Sequence, residues 1–260
     1  MQTFSIDNQS NIAILILSCD KFKITWKPCI DHFTHVWPNC PYPVYLLNNF
    51  FPSNDDRVID LVVGEDLNWS DSLKNGLLKI EEKRIFFIYD DSFITKIDLE
   101  EVSLIFKITV ENDFDSVAIR KRIFDSGKRF NEKIYKINPT AKYRNSLFLN
   151  LIKKDVLLSL LKSGENAWEF EKDGNIRSNS MDFYSVYSSK LVTYEHGIIK
   201  GTWIPKTFKY LKNKGYLLNG NTFENHSKFK MFVIELYTII FYTVYKLTHL
   251  THLFKMNTYI

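Results

Sequence analysis

Two adjacent carboxylates, Asp90 and Asp91, follow directly on the apolar run RIFFIY at residues 84–89. Such a run reads as a buried strand, and open α/β sheets bind ligands outside the carboxyl ends of their strands. Two carboxylates side by side repel each other and gain from a cation between them. Hard oxygen donors of this kind suit Mg²⁺ or Mn²⁺, which also take phosphate oxygens. A cation there neutralises a diphosphate as it leaves. The same pair also reads as a solvated turn that caps the next segment. Its neighbours favour a cleft: Asp20 ends the first apolar run and Asp66 follows the third. Parallel neighbouring strands would gather these carboxylates along one edge.

The elements that must hold them are readable from the pattern. Residues 11–18 (NIAILILS) form a continuous apolar run, as in a strand buried on both faces of a parallel sheet. Residues 21–36 read as a helix carrying Pro28, a kink or a delayed start. Strands follow at 41–48 and 58–63, and a helix at 69–82 with Ser70 as its N-cap. After the strand at 84–89 come a helix at 98–110 and strands at 116–119, 133–137 and 147–152. A short helix at 154–162, a strand at 191–195 and a loop at 196–203 complete the series. Alternating strands and helices predict an α/β layered domain around a mostly parallel central sheet. The domain spans 1–215, and 216–260 read as a linker and a C-terminal helix.

Composition narrows the function. Hydrophobic residues make up 45% of the 260 and charged residues 25%, which supports a sizeable core. A net charge of +4, from 34 basic and 30 acidic residues, gives no basic footprint for nucleic acid. The cysteines, Cys19, Cys29 and Cys40, are an odd set without a CxxC and read as reduced thiols. No secretory leader is visible at the N-terminus, so the expectation is a cytoplasmic protein. There is no GxxxxGK[ST] loop, no GxGxxG after the first strand and no GxSxG. P-loop, dinucleotide-binding and nucleophile-elbow chemistry are thereby disfavoured. Cys29, His32 and His35 recur at helical spacing but do not match zinc-ligand patterns.

The run at 231–247 (MFVIELYTIIFYTVYKL) sits at the short limit for a membrane span and contains Glu235. Lys228, Lys230, Lys246 and Lys255 flank it. It reads either as a helix on the inner face of an anionic membrane through 228–255, or as a helix packed on the domain or in a homodimer seam.

The order of short motifs resembles a family. An apolar strand ends in Ser18-Cys19-Asp20, Trp69-Ser70 opens a helix, and RIFFIYDDSF spans 84–93. Trp168-Glu169-Phe170-Glu171 and a late Gly-Ile-Ile-Lys-Gly-Thr-Trp follow. Over residues 11–205 this resembles GT-A-like glycosyltransferases of bacterial surface-polysaccharide (capsule or O-antigen) synthesis. The resemblance implies a nucleotide-sugar donor, by default a UDP-sugar, and a glycan or lipid-linked acceptor. It places Asp20 near the nucleotide base, with Asp66 on the same edge. Asp90 and Asp91 would serve ribose and the Mn²⁺- or Mg²⁺-bound diphosphate, although Ser92 departs from a strict DxD. Glu169 or Glu171 would be the base that takes the acceptor hydroxyl's proton in an inverting hexosyl transfer. Residues two apart lie about 200° apart on a helix, so only one faces a cleft, and Glu171 is preferred. His196 would complete a metal shell and Lys200 would hold the diphosphate; both also read as ordinary loop residues. A nucleotidyltransferase is an alternative, but its Gly- and Arg-rich loop is replaced by Ser18-Cys19-Asp20-Lys21-Phe22. A non-catalytic, membrane-associated interaction protein is the other.

Overall fold

The computed structural model describes residues 11–122, 127–199, 201–218 and 243. The C-terminal run expected to be a helix, and Lys200, lie outside them. Strands and helices alternate first: β1 (Ile12–Leu17), α1 (Lys23–Val36), β2 (Val44–Asn48), β3 (Ile59–Val62), α2 (Trp69–Leu77) and β4 (Arg84–Tyr89). Next come β5 (Ser92–Ile97), α3 (Leu99–Glu111), β6 (Ser116–Ala118), β7 (Lys128–Arg129), β8 (Ile134–Lys136) and β9 (Asn150–Lys153). Then follow α4 (Lys154–Leu160), α5 (Ala167–Arg177), β10 (Phe183–Val186) and β11 (Val192–His196). The last are β12 (Ile198–Ile199), β13 (Thr202–Trp203) and α6 (Pro205–Asn213).

One nine-stranded sheet runs in the order β3-β2-β1-β4-β9-β6-β10-β8-β7. Seven of its strands share a direction, and β9 and β8 oppose them. The mostly parallel α/β architecture expected from the sequence is therefore present. All six β1 residues are buried because both faces are covered. Ala13, Leu15, Leu17, Ile85 and Phe87 pack with Leu73 and Leu77 of α2 and Phe170 of α5. On the other face Phe86 meets Phe106 of α3, with ring centroids 5.2 Å apart.

Several boundaries differ from the sequence reading. The N-cap of α2 is Asn68, whose side chain accepts from the Asp71 amide at 2.9 Å. Ser70 instead donates its hydroxyl to Asn68 Oδ1. That helix stops at Leu77 rather than at 82. Tight bonds from Lys79 N to Gly76 O and Ile80 N to Leu77 O fold Ile80 back into the core. The strand expected at 147–152 begins at Asn150, because Leu149 stands at φ +52. A buried leucine there is strained; its N–H donates to Phe87 O and its carbonyl accepts from Ile119 N.

The chain divides into two compact units, Met1–Glu195 and His196–Ile260. In the second, residues 198–203, expected to be loop, include the paired strands β12 and β13, with Gly201 at φ +71. Trp203 is fully buried and meets Phe208 of α6 at 5.7 Å. Among the described residues no helix is long and apolar enough to cross a membrane.

Candidate active site

Asp90 and Asp91 sit where β4 ends, on the carboxyl edge of the sheet. Asp90 is 6% exposed. Its carboxylate accepts a short hydrogen bond from the Ser18 hydroxyl at the end of β1. Ser18 Oγ in turn accepts from the indole Nε1 of Trp26 in α1 at 2.6 Å. A relay from Trp26 through Ser18 thus fixes the orientation of Asp90. Asp91 is half-buried and accepts from the Ser92 hydroxyl at 3.2 Å. Burial pushes the Asp91 carboxyl up to about 6. Burial, then the charge of Asp91, pushes Asp90 well above the ordinary carboxylate range, against the pull of the Ser18 and Thr25 hydroxyls. Among the described residues no ion pair reaches either carboxylate. Two desolvated carboxylates without a counter-charge fit a hard divalent cation. They supply only part of its shell: among the described residues no three His, Cys, Asp or Glu side chains converge as metal ligands.

Beside the pair opens a cavity of about 480 Å³. Its walls are apolar, from Leu17, Leu47, Trp69 and Tyr89, and its polar side carries Asp66, Asn68, Ser72, Asp90 and Asp91. Asp66 is exposed and accepts from the Ser72 hydroxyl at 3.1 Å. The structure therefore gathers Asp66, Asp90 and Asp91 at one cavity, as their positions after strands imply.

The other predicted residues are placed differently. Asp20 does not line the cavity. Both its oxygens accept backbone amides, of Asn49 and Phe50, each at 2.9 Å, which clamps the end of β1 to the segment after β2. Glu169 closes a capping box at the start of α5: Asn166 accepts from the Glu169 amide, and the Glu169 carboxylate accepts from the Asn166 amide at 2.9 Å. Glu171 lies on another side of that helix and acts electrostatically on Tyr89. Of the flanking aromatics, Phe170 is buried against Trp69, and Trp168 is 75% exposed. His196 is exposed and belongs to the second unit.

Two residues at this edge were not singled out in the sequence. Tyr89 is pushed upward by burial, then by Glu171; Arg120 pulls it down and Asp91 adds to the rise. One half-buried phenol thus feels two carboxylates and a guanidinium. Arg120 was legible in principle, since it stands two residues past an apolar strand that runs parallel to β4.

No protein-family model matches the chain, and no curated protein matches it. Solved structures do. Residues 1–349 of Staphylococcus aureus TarS, in complex with UDP-GlcNAc, align with TM-score 0.50 at 13% identity, covering 74% of this chain and 60% of that one. The glycosyltransferase GlyE of Streptococcus pneumoniae TIGR4 aligns with TM-score 0.44 at 15% identity, covering 66% of this chain and 44% of that one. The chain thus spans about three-fifths of TarS 1–349. The likeness to TarS is one of fold, the GT-A-like arrangement expected from the sequence.

Proposed function

We propose that the protein is a nucleotide-sugar glycosyltransferase of surface-polysaccharide synthesis. It would move a hexosyl group from a UDP-sugar to a glycan or lipid-linked acceptor with inversion. The observation that carries this reading is the buried Asp90-Asp91 pair, without a counter-charge, beside an apolar-walled cavity of about 480 Å³. Apolar walls with a polar side suit a nucleoside; Asp66, Asn68 and Ser72 would face its base and ribose. Asp20 would act indirectly, by holding the β1 end that carries Ser18. Asp90 and Asp91 would hold Mn²⁺ or Mg²⁺. When bound, that ion supplies charge neutralisation for the departing diphosphate. Glu171, whose charge is felt at half-buried Tyr89, would take the proton of the attacking hydroxyl. Glu169 is committed to its cap. The segment at 228–255 would meet the inner membrane face or a second copy of the chain. TarS in complex with UDP-GlcNAc supports UDP as the first nucleotide to try.

The test is calorimetry and thermal shift with UDP, GDP and CDP, with and without Mn²⁺, on wild type and Asp91→Ala. Metal-dependent binding of one nucleotide, lost in the variant, is the expected result. Binding of none by folded wild type would remove the reading in favour of an interaction protein. If the protein instead joins a sugar phosphate to a nucleoside triphosphate and releases pyrophosphate, it is a nucleotidyltransferase.

A further inference from the structure

Arg120 stands on the same carboxyl edge as Asp90 and Asp91, two residues beyond β6. Its carbonyl accepts from the Ser185 hydroxyl at 2.9 Å, which ties this stretch to β10. Its guanidinium is treated unlike the others. Arg57, Arg84, Arg122, Arg129, Arg144 and Arg177 each donate to a carboxylate or a carbonyl. Among the described residues Arg120 is the one arginine whose guanidinium donates no hydrogen bond. Its Nε is shielded from solvent without a partner, as are Arg122 Nη1, Arg144 Nε and Arg177 Nε, but those three guanidinia donate through their other nitrogens. Arg120 is half-buried, and a guanidinium on the carboxyl edge that donates nowhere within the protein is open to an anionic ligand.

Where the missing anion belongs follows from the neighbours. Arg120 does not line the cavity beside Asp90, although its charge is felt at Tyr89, which does. It shares with Glu171 an influence on Tyr89. Glu171 is the proposed base, and a base must touch the acceptor. We propose that Arg120 recognises a carboxylate or phosphate carried by the acceptor, and that the acceptor is therefore an anionic glycan or an alcohol bearing phosphate. This rests on the transferase reading of the site. The planar guanidinium fork takes either anion through two parallel hydrogen bonds. Glu171 would repel the same anion, so the charged group lies at Arg120 and the attacking hydroxyl at Glu171.

The test is titration of D-glucuronate and of inorganic phosphate into protein saturated with UDP and Mg²⁺, and into protein without nucleotide. Wild type, Arg120→Gln and Arg120→Lys are compared. One of the two anions should bind wild type and bind Arg120→Gln at least tenfold more weakly, with Arg120→Lys between them. UDP affinity should stay within twofold. A response to glucuronate alone identifies a carboxylate acceptor, and to phosphate alone a phosphorylated one. The melting temperature of Arg120→Gln should equal or exceed that of wild type, because no partner is orphaned; a large fall would mark a structural arginine and overturn the proposal. Equal binding in wild type and Arg120→Gln, or binding of neither anion, would also overturn it. So would a tenfold loss of UDP in Arg120→Gln, which would assign the guanidinium to the donor. If wild type binds no nucleotide yet binds an anion through Arg120, the transferase reading falls and the anion site stands.

Discussion

Strand β4 begins and ends on a buried charge, and its two ends are built to opposite rules. At the amino end Arg84 is 5% exposed, donates to Phe114 O at 2.5 Å and pairs with Asp113 at 2.7 Å. Lys153 pairs with both Asp113 and Asp115. The hydrogen bond from Lys153 is the main cause holding Asp113 below the usual carboxylate range. At the carboxyl end Asp90 and Asp91 are pushed the other way. Each end has a cavity, about 470 Å³ at the amino edge and about 480 Å³ at the carboxyl edge. Volume therefore does not tell site from scaffold; charge satisfaction does. A protein can afford unpaired buried charge only where something else completes it.

The largest effect expected from this contrast is at Asp91. Asp91→Asn should weaken metal-dependent nucleotide binding more than a hundredfold, since a neutral amide gives the cation no charge. The same change should stabilise the ligand-free fold. An unfolded Asp titrates near about 3.9 and folded Asp91 near 6. Between those values the folded state holds more proton, so stability present below about pH 4 is lost as pH rises through 6. The variant lacks this loss, and its advantage should grow to the order of 2–3 kcal/mol by pH 7. Urea unfolding at pH 5 and pH 7.5 measures it. A variant less stable than wild type at both pH values would mean that Asp91 is paired like the amino edge.

Next in size is the comparison of the two glutamates on α5. Glu171→Gln should lower kcat by roughly 10²–10⁴ with little change in nucleotide affinity, as for a lost general base. Glu169→Gln should keep turnover and cost about 1 kcal/mol of stability or less through its cap. Steady-state rates beside melting curves separate them, and a reversed pattern would move the base to Glu169. At the amino edge, Arg84→Met should cost about 1–3 kcal/mol and leave nucleotide affinity unchanged. The penalty stays modest because Asp113 is well exposed and keeps Lys153. Loss of nucleotide binding there would erase the distinction between the edges.

How much of this was legible follows from how local each signal is. The apolar runs of β1 and β4 end abruptly in polar residues, so the sheet and the acidic pair could be read directly. The cap of α5 was also written in the chain, as Asn166-x-x-Glu169, and that spacing alone separates Glu169 from Glu171. Asp20 was harder, because the amides it clamps lie about 30 positions on, in a segment with no pattern of its own. Strand β5 went unread because half of SFITKI is not buried. The position of Arg120 just past a parallel strand was legible in principle, but that strand has only three residues, and the missing partner that marks the guanidinium is an absence no sequence displays.

The smallest effect expected is at Ser18, and it tests whether the carboxyl edge is merely unpaired or actively aimed. Ser18 holds Asp90 through one hydrogen bond and is itself held by Trp26. Ser18→Ala removes the bond without altering any charge. Asp90 would keep its burial and the Thr25 hydroxyl, but would lose the bond that ties it to the end of β1, and the indole N–H of Trp26 would lose its acceptor. A single hydrogen bond to a charged group contributes about 1.5–3 kcal/mol. Metal-dependent nucleotide affinity should therefore fall about tenfold to a hundredfold. Ser18→Thr, which keeps the hydroxyl, should recover most of it. Calorimetry on the two variants decides the point. Unchanged affinity in Ser18→Ala would leave Asp90 a bystander to Asp91, while a loss rescued by threonine would show that the edge is oriented for its ligand as well as charged for it.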